Sequence, residues 1–182
     1  MEHYSDDKLL SMFRENDSQN YAYNLIVRKY QERLYWHIRR IVINHDDAND
    51  VIQNTLIKAW KGLSYFKEES QLYTWLYRIA TNEAITFLNK KKKRFFISMV
   101  DVEHELSQSL ESDENYSGDE IQLKLQKAIL TLPQKQRIVF NMKYYDEMKY
   151  DEMSEVLETS VGALKASYHH AVKKIENFIK ED

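Results

Sequence analysis

The sequence predicts an all-α protein of two small helical domains joined by an acidic linker, the second domain containing a helix-turn-helix. Three observations carry that prediction. Glycine and proline number three and one in 182 residues, so helix breakers are nearly absent. Apolar residues recur at intervals of three and four rather than two, which is the period of one helix face. Between residues 101 and 120 that pattern stops, and the segment holds eight carboxylates, no lysine or arginine, and several serines. Such a segment has too little apolar surface to offset its ordering entropy, which is the signature of a linker. The boundaries that follow are 1–98, 99–120 and 121–182.

In the first half, Leu25, Ile26, Tyr30, Leu34, Ile38 and Ile41 form one apolar stripe. Val51, Ile52, Leu56, Ala59 and Trp60 form a second, and Leu72, Trp75, Leu76, Ile79, Ala80, Phe87 and Leu88 a third. Three amphipathic helices so close in sequence bury their stripes against one another, as a compact bundle. The third stripe leaves Arg78, Thr81, Asn82, Ile85 and Asn89 on other faces and ends in the basic run Lys90, Lys91, Lys92, Lys93, Arg94. A mildly basic helix face of this kind can track a phosphate backbone, although such a run also fits a solvated helix end. The loop 64–70 ahead of that helix offers Tyr65 and Phe66 as surfaces on which an unstacked base could lie. The bland alternative for both, and for Trp75, is a place in the core.

Beyond the linker, Ile121, Leu125, Ala128 and Ile129 restart the helical period. Leu132-Pro133 then marks a boundary, since proline is tolerated in the first turn of a helix and not in its interior. Helices are expected over 138–145, 150–157 and 161–179. The last two are separated by Glu158-Thr159-Ser160, with Ser160 a good N-cap. A short helix, a tight turn and a longer helix make a helix-turn-helix, whose second helix enters the major groove. From 160 to 174, "SVGALKASYHHAVKK" carries no carboxylate. Acids on a leading face would repel phosphates, while Lys165, His169, His170, Lys173 and Lys174 supply cationic or hydrogen-bonding ends. Val161, Leu164, Tyr168, Ala171, Val172 and Ile175 can pack inward. A plain surface helix with lysines near its C-terminus has the same composition, favoured by the helix dipole.

Whole-chain composition excludes several classes. The net charge of −3 argues against a protein that coats nucleic acid indiscriminately. There is no cysteine, hence no disulfide and no thiolate metal site. The start of the chain is polar and acidic rather than a signal peptide. No apolar run approaches the ~20 residues of a membrane-spanning helix. The expectation is a cytoplasmic protein without direct membrane insertion. No catalytic constellation is present, and the Asp46 to Asp50 cluster lacks the glycine and terminal glutamate of a calcium loop. The adjacent His169 and His170 point about 100° apart on a helix and do not chelate. Neither catalysis, metal nor cofactor is expected.

The stretch "LPQKQRIVFNMKYYDEMKYDEMSEVLETSVGALKASYHHAVKKI", 132–175, resembles the promoter-recognising fourth region of bacterial sigma factors of the extracytoplasmic-function (ECF) class. The resemblance rests on Leu-Pro, an arginine shortly after, an apolar-aromatic pair, Tyr-x-Glu-Met, Ser-Val-Gly and a lysine-bearing helix. It implies that Arg137, Ser160, Val161, Gly162, Ala163, Lys165, Ala166, Ser167, His169, His170 and Lys173 read the minus-thirty-five element. Such sequences usually carry glycine where this one has Glu158, an apolar residue at Thr159, and often arginine at Ser167 and His170. Fewer arginines remove bidentate guanine readers, so weak binding by this domain alone and an unusual upstream preference are expected.

Two further segments resemble the same family. "DANDVIQNTLIKAW", 47–60, is similar to the helix that docks on the clamp of RNA polymerase, and implies contacts from Asp47, Asp50, Gln53, Asn54 and Ile57. The family frequently has an acid at the position of Asn54. "YFKEESQLYTWLYRIATNEAITFLNKKKKR", 65–94, is similar to the segments that melt and read the minus-ten element. That likeness implies DNA contacts from Tyr65, Phe66, Lys67, Ser70, Arg78, Thr81, Asn82 and Lys90 to Arg94, with the loop and Asn82 forming the pocket for a flipped base. The implied function is a dissociable initiation subunit of bacterial RNA polymerase, with core polymerase, promoter DNA and an anti-sigma protein as partners. A stand-alone helix-turn-helix regulator and a purely protein-binding helical adaptor are the rivals. The acidic linker could also fold over a basic surface and compete with DNA.

Overall fold

The computed structural model describes residues 4–95 and 120–180, without the side chains of residues 92, 94 and 95. Among these residues eight helices follow in order: α1 Asp6–Arg14, α2 Gln19–Val42, α3 His45–Leu63, α4 Leu72–Phe95, α5 Glu120–Leu130, α6 Gln134–Tyr144, α7 Tyr150–Leu157 and α8 Val161–Lys180. Apart from Glu120, the acidic linker and the role suggested for it lie outside the described residues.

Local chemistry explains where the helices begin and end. Ser5 Oγ accepts the Lys8 N–H at 3.3 Å, Asn44 Oδ1 the Asp47 N–H at 3.0 Å and Ser160 Oγ the Ala163 N–H at 3.3 Å. Each cap satisfies one otherwise orphaned donor. At the start of α7 the direction is reversed, and the Lys149 N–H donates to Glu152 Oε2 at 2.8 Å. Helix α2 stops at Ile43, which holds φ 64°. That conformation is unfavourable for a β-branched residue, and burial of the Ile43 side chain holds it in place.

α1 to α4 form the N-terminal bundle, with Leu9, Phe13, Ile26, Leu34, Ile38, Val51, Leu76 and Ala80 inside. α1 was not expected from the helical stripes. Its Leu9, Leu10 and Phe13 are all buried, and Phe13 meets Trp60 edge-on at 5.4 Å. In the C-terminal half, Ala128, Ile129, Leu132, Phe140, Ala171 and Ile175 make a small core of their own. Ile138, Val139, Met142, Met148, Met153, Val156 and Leu164 instead join the core of the N-terminal bundle. The two halves therefore share part of their apolar interior, made where α6 meets α2 and α7 meets α4.

Candidate nucleic-acid interface

The loop 64–70 is tied at its start and its middle. Tyr65 and Phe66 donate their N–H groups to the carbonyls of Gly62 and Leu63 at 3.0 and 3.2 Å, and Glu68, at φ 59°, pairs with Arg14. Tyr65 is 83 % exposed. Beneath it lies a pocket of ≈ 500 Å³ lined by Tyr65, Phe66, Lys67, Ser70, Trp75 and Arg78. Phe66 is not a free stacking surface as expected. It is 8 % exposed and packs on Trp75 with ring centroids 5.0 Å apart, so it is a wall of the pocket.

Along α4, Arg78 and Asn82 are exposed, and Arg78 pairs with Glu158 from the C-terminal half. Thr81 is a correction. At 1 % exposure it has no surface to offer DNA, because its Oγ1 donates to the Tyr77 carbonyl at 2.7 Å and lies 2.9 Å from His37 Nε2. Lys90 and Lys93 are exposed, whereas Lys91 reaches back to Asp47 at 3.0 Å. The side chains of Lys92 and Arg94 lie outside the described residues. Burial pushes the Tyr73 phenol up to about 12, reinforced by the Glu152 carboxylate. Burial also raises Tyr77, with Asp146 adding to the effect. Both hydroxyls stay neutral at physiological pH.

In the helix-turn-helix, Glu158 ends α7 in the left-handed conformation, φ 49° and ψ 42°. The turn delivers α8 with Ser160, Gly162, Ala163, Lys165, Ala166, His169, His170 and Lys173 exposed, and with Val161 and Ser167 half-buried. A Cβ placed on Gly162 would meet nothing within 4 Å. Lys165 Nζ lies 5.7 Å from the centroid of the Tyr150 ring, which steadies it on the outer face. Arg137 is the second correction to a direct-contact expectation. It is 5 % exposed, because α6 is covered by α8 on one side and by α2 on the other. On α3, Asp50, Gln53, Asn54 and Ile57 form one exposed row, with Ile57 53 % exposed. Asp47 is half-buried and held by Lys91.

Among the described residues no cluster of histidine, cysteine or carboxylate side chains could hold a metal ion, and no helix is long and apolar enough to cross a membrane. What the geometry offers is binding: an aromatic pocket on a helix ending in cations, and a separate acid-free helix face. Residues 26–94 match sigma-70 region 2, and residues 122–175 match sigma-70 region 4. The chain belongs to the sigma-70 family.

As a sigma factor it is a transcription initiation factor, which sets aside the stand-alone regulator and the adaptor. It is 28% identical over 183 residues to the RNA polymerase sigma-H factor of Pseudomonas aeruginosa, covering 96% of this chain and 94% of that one. It is 29% identical over 187 residues to the ECF RNA polymerase sigma-E factor of Escherichia coli K12, covering 98% and 96%. Two solved structures share its fold. CnrH in complex with the cytosolic domain of CnrY aligns with a TM-score of 0.68 at 22% identity over 96% of both chains. RpoE in complex with the anti-sigma factor NepR from Bartonella quintana aligns at 0.67 and 20% identity, over 87% of this chain and 97% of that one.

Sequence reasoning missed what this sigma factor's C-terminal half places against the minus-ten candidates. Glu155 lines the pocket under Tyr65, Glu158 holds Arg78, and Asp146 holds His37 and Arg40. Only Glu158 left a signal, as a charged residue in a turn that favours glycine.

Proposed function

We propose that this sigma factor divides its work between two units, 1–98 and 121–182, linked through 99–120. The N-terminal unit docks on core RNA polymerase through the α3 row Asp50, Gln53, Asn54 and Ile57. It captures an unstacked minus-ten base in the pocket under Tyr65. Lys67, Ser70, Arg78 and Asn82 hold the strand at that point, and the basic end of α4 follows the backbone. Phe66 and Thr81 position that surface from within. The C-terminal unit reads the minus-thirty-five element with the exposed side of α8, and Arg137 supports the unit from inside. Captured bases offset much of the cost of opening the duplex, since unstacking a base costs a few kcal/mol and stacking on an aromatic ring returns about 1–3 kcal/mol. The protein works by binding rather than by bond chemistry, in the cytoplasm. An anti-sigma protein is its natural antagonist, a reading supported by the fold shared with RpoE, solved in complex with the anti-sigma factor NepR.

The observation that carries this reading is the exposed Tyr65 standing over a pocket whose rim bears Lys67 and Arg78. The test is co-purification with core RNA polymerase followed by transcription from a promoter library. Wild type should bind core and select new start sites. Asp50→Ala/Gln53→Ala should lose core, and Tyr65→Ala should keep core while losing promoter opening. A Tyr65→Ala protein that opens promoters normally would remove the pocket from the mechanism.

A further inference from the structure

Tyr150 is the first residue of α7, and two other helices each send a cation to its ring. Lys143, in the last turn of α6, holds Nζ 5.2 Å from the ring centroid, and Lys165, in the second turn of α8, holds Nζ 5.7 Å from it. Both distances fall where an ammonium is attracted by the face of an aromatic ring. The ring is not free to swing away. It is half-buried against the shared core, and the first turn of α7 is closed by the Lys149 N–H on Glu152 Oε2 at 2.8 Å and the Met153 N–H on the Lys149 carbonyl at 2.9 Å. One phenol therefore fixes two ammonium groups drawn from α6 and α8.

Gathering two like charges at one ring is unfavourable in itself, and the usual remedy, a carboxylate between them, is missing. Among the described residues neither lysine forms an ion pair. Glu152 is committed to the Lys149 N–H, and Asp151 lies about 100° around the helix from Tyr150. Lys143 donates one hydrogen bond, from Nζ to the Met148 carbonyl at 3.2 Å, whereas a lysine ammonium carries three donors. Its other two, and all three of the exposed Lys165, have no acceptor among the described residues. What the arrangement lacks is an anion.

We propose that Lys143 and Lys165, set in place by Tyr150, form a clamp for a backbone phosphate of the duplex that α8 reads. The inference rests on the reading of α8 as the minus-thirty-five helix, and it adds a phosphate contact from α6 and a positioning residue from α7. Tyr150 acts through the two lysines and touches no DNA. Phosphate contacts set register and orientation while base contacts specify sequence, so the clamp fixes how α8 enters the groove. With serine at 167 and histidine at 170, α8 brings no guanidinium of its own at those positions. A preset phosphate contact then carries more of the orientation.

The test uses the full chain and a fluorescein-labelled duplex of randomised sequence, titrated by anisotropy between about 50 and 200 mM salt. Lys143→Gln and Lys165→Gln should each reduce the slope of log K against log salt by about one. Tyr150→Leu, which fills the same apolar site without a π face, should weaken duplex binding by about threefold or more at unchanged helix content, and Tyr150→Phe should restore it to within about twofold. In the Tyr150→Leu background, Lys143→Gln should cost less than in wild type, because the pair is already misplaced. Without DNA, the ε-methylene protons of Lys143 and Lys165 should show upfield ring-current shifts that vanish in Tyr150→Leu and persist in Tyr150→Phe. Absence of those shifts in wild type overturns the shared ring before any variant is made. Undiminished duplex binding by Tyr150→Leu overturns the positioning role, and an unchanged salt slope in Lys143→Gln overturns the clamp. Lys173→Gln, two turns further along α8, separates this from failure of the underlying reading. If it weakens duplex binding while Lys143→Gln does not, the clamp alone is wrong. If no lysine variant on α8 weakens binding, the reading of α8 is wrong and the clamp falls with it.

Discussion

Two residues of the helix-turn-helix show how stability and function separate at single positions. Glu158 in a left-handed conformation costs on the order of 1 kcal/mol relative to glycine. Its partner Arg78 is half-exposed, and an exposed ion pair returns about 0–1 kcal/mol. The two terms roughly cancel, so Glu158 is not there to stabilise the fold. Gly162 poses the converse case. A methyl group there meets nothing, and alanine in a helix gains about 0.5–1 kcal/mol over glycine by restricting the unfolded chain. Gly162→Ala should therefore raise the melting temperature by about 1–4 °C. Because Gly162 lies on the exposed leading turn of α8, the same methyl should weaken duplex binding by obstructing close approach to the groove. Calorimetry and fluorescence anisotropy measure the two effects separately. A stabilised protein with unaltered duplex affinity would move the DNA contact further along α8.

At the scale of elements, the contact between α3 and α4 controls the pocket. A Cβ on Gly62 would lie 3.0 Å from the Trp75 ring, so the indole must give by a few tenths of an ångström, and Trp75 backs Phe66. Gly62→Ala should tilt the pocket wall, with an overpacking cost of about 1–3 kcal/mol set against a gain of about 0.5–1 kcal/mol over glycine in the helix. Core binding through the α3 row should survive while promoter opening falls, as read by pull-down and by permanganate reactivity of the melted strand. Normal opening would show that Trp75 does not set the pocket's shape. This packing also explains which parts of the fold were legible. The long helices α2, α3 and α4 and the α7–α8 pair follow from apolar stripes of period 3.6. α1 escaped because it is only nine residues long and its acids mask Leu9, Leu10 and Phe13. The pattern at Ser5-Asp6-Asp7, a cap followed by acids in a first turn, was the available signal. Ile121 continues the stripe of α5 and yet is 82 % exposed, since that stripe is covered only further along the helix. Thr81 was misplaced for a different reason. α4 is covered on two sides, by its own bundle and by α7, and periodicity reveals the first contact only. His37 and Asp146, 109 residues apart, share no spacing that a sequence pattern could expose.

At the scale of the molecule, buried phenols link folding to alkaline pH. The phenol of Tyr23 is pushed from 10.0 up to about 12 by burial, opposed by a backbone hydrogen bond from Trp60. Tyr73 also rises to about 12, and Tyr30 is raised by burial and then by its hydrogen bond to Asp6. An acid whose folded pKa lies above its unfolded value holds its proton in the folded state after the unfolded chain has lost it. Folding then binds more protons than unfolding, and stability falls as pH rises. The contribution is complete below pH 10, the ordinary value for these groups, and is lost between there and about 12. Urea midpoints taken from about pH 9 to about pH 11 should therefore drop, while tyrosinate absorbance lags in the folded protein and jumps on unfolding. The sites do not all report the same structure. Tyr23 lies between α2 and α3, bonded to the Leu56 carbonyl, and senses only the N-terminal bundle. Tyr73 is raised in part by Glu152 and Asp146, both contributed by the C-terminal half. Losing the contact between α7 and α4 withdraws those carboxylates and part of the burial, so Tyr73 should titrate earlier in Asp146→Asn while Tyr23 stays in place. Site-resolved titration of ring-labelled tyrosines would show this as one curve moving against a fixed one. If both curves stay together, the C-terminal half does not rest on α4 in solution.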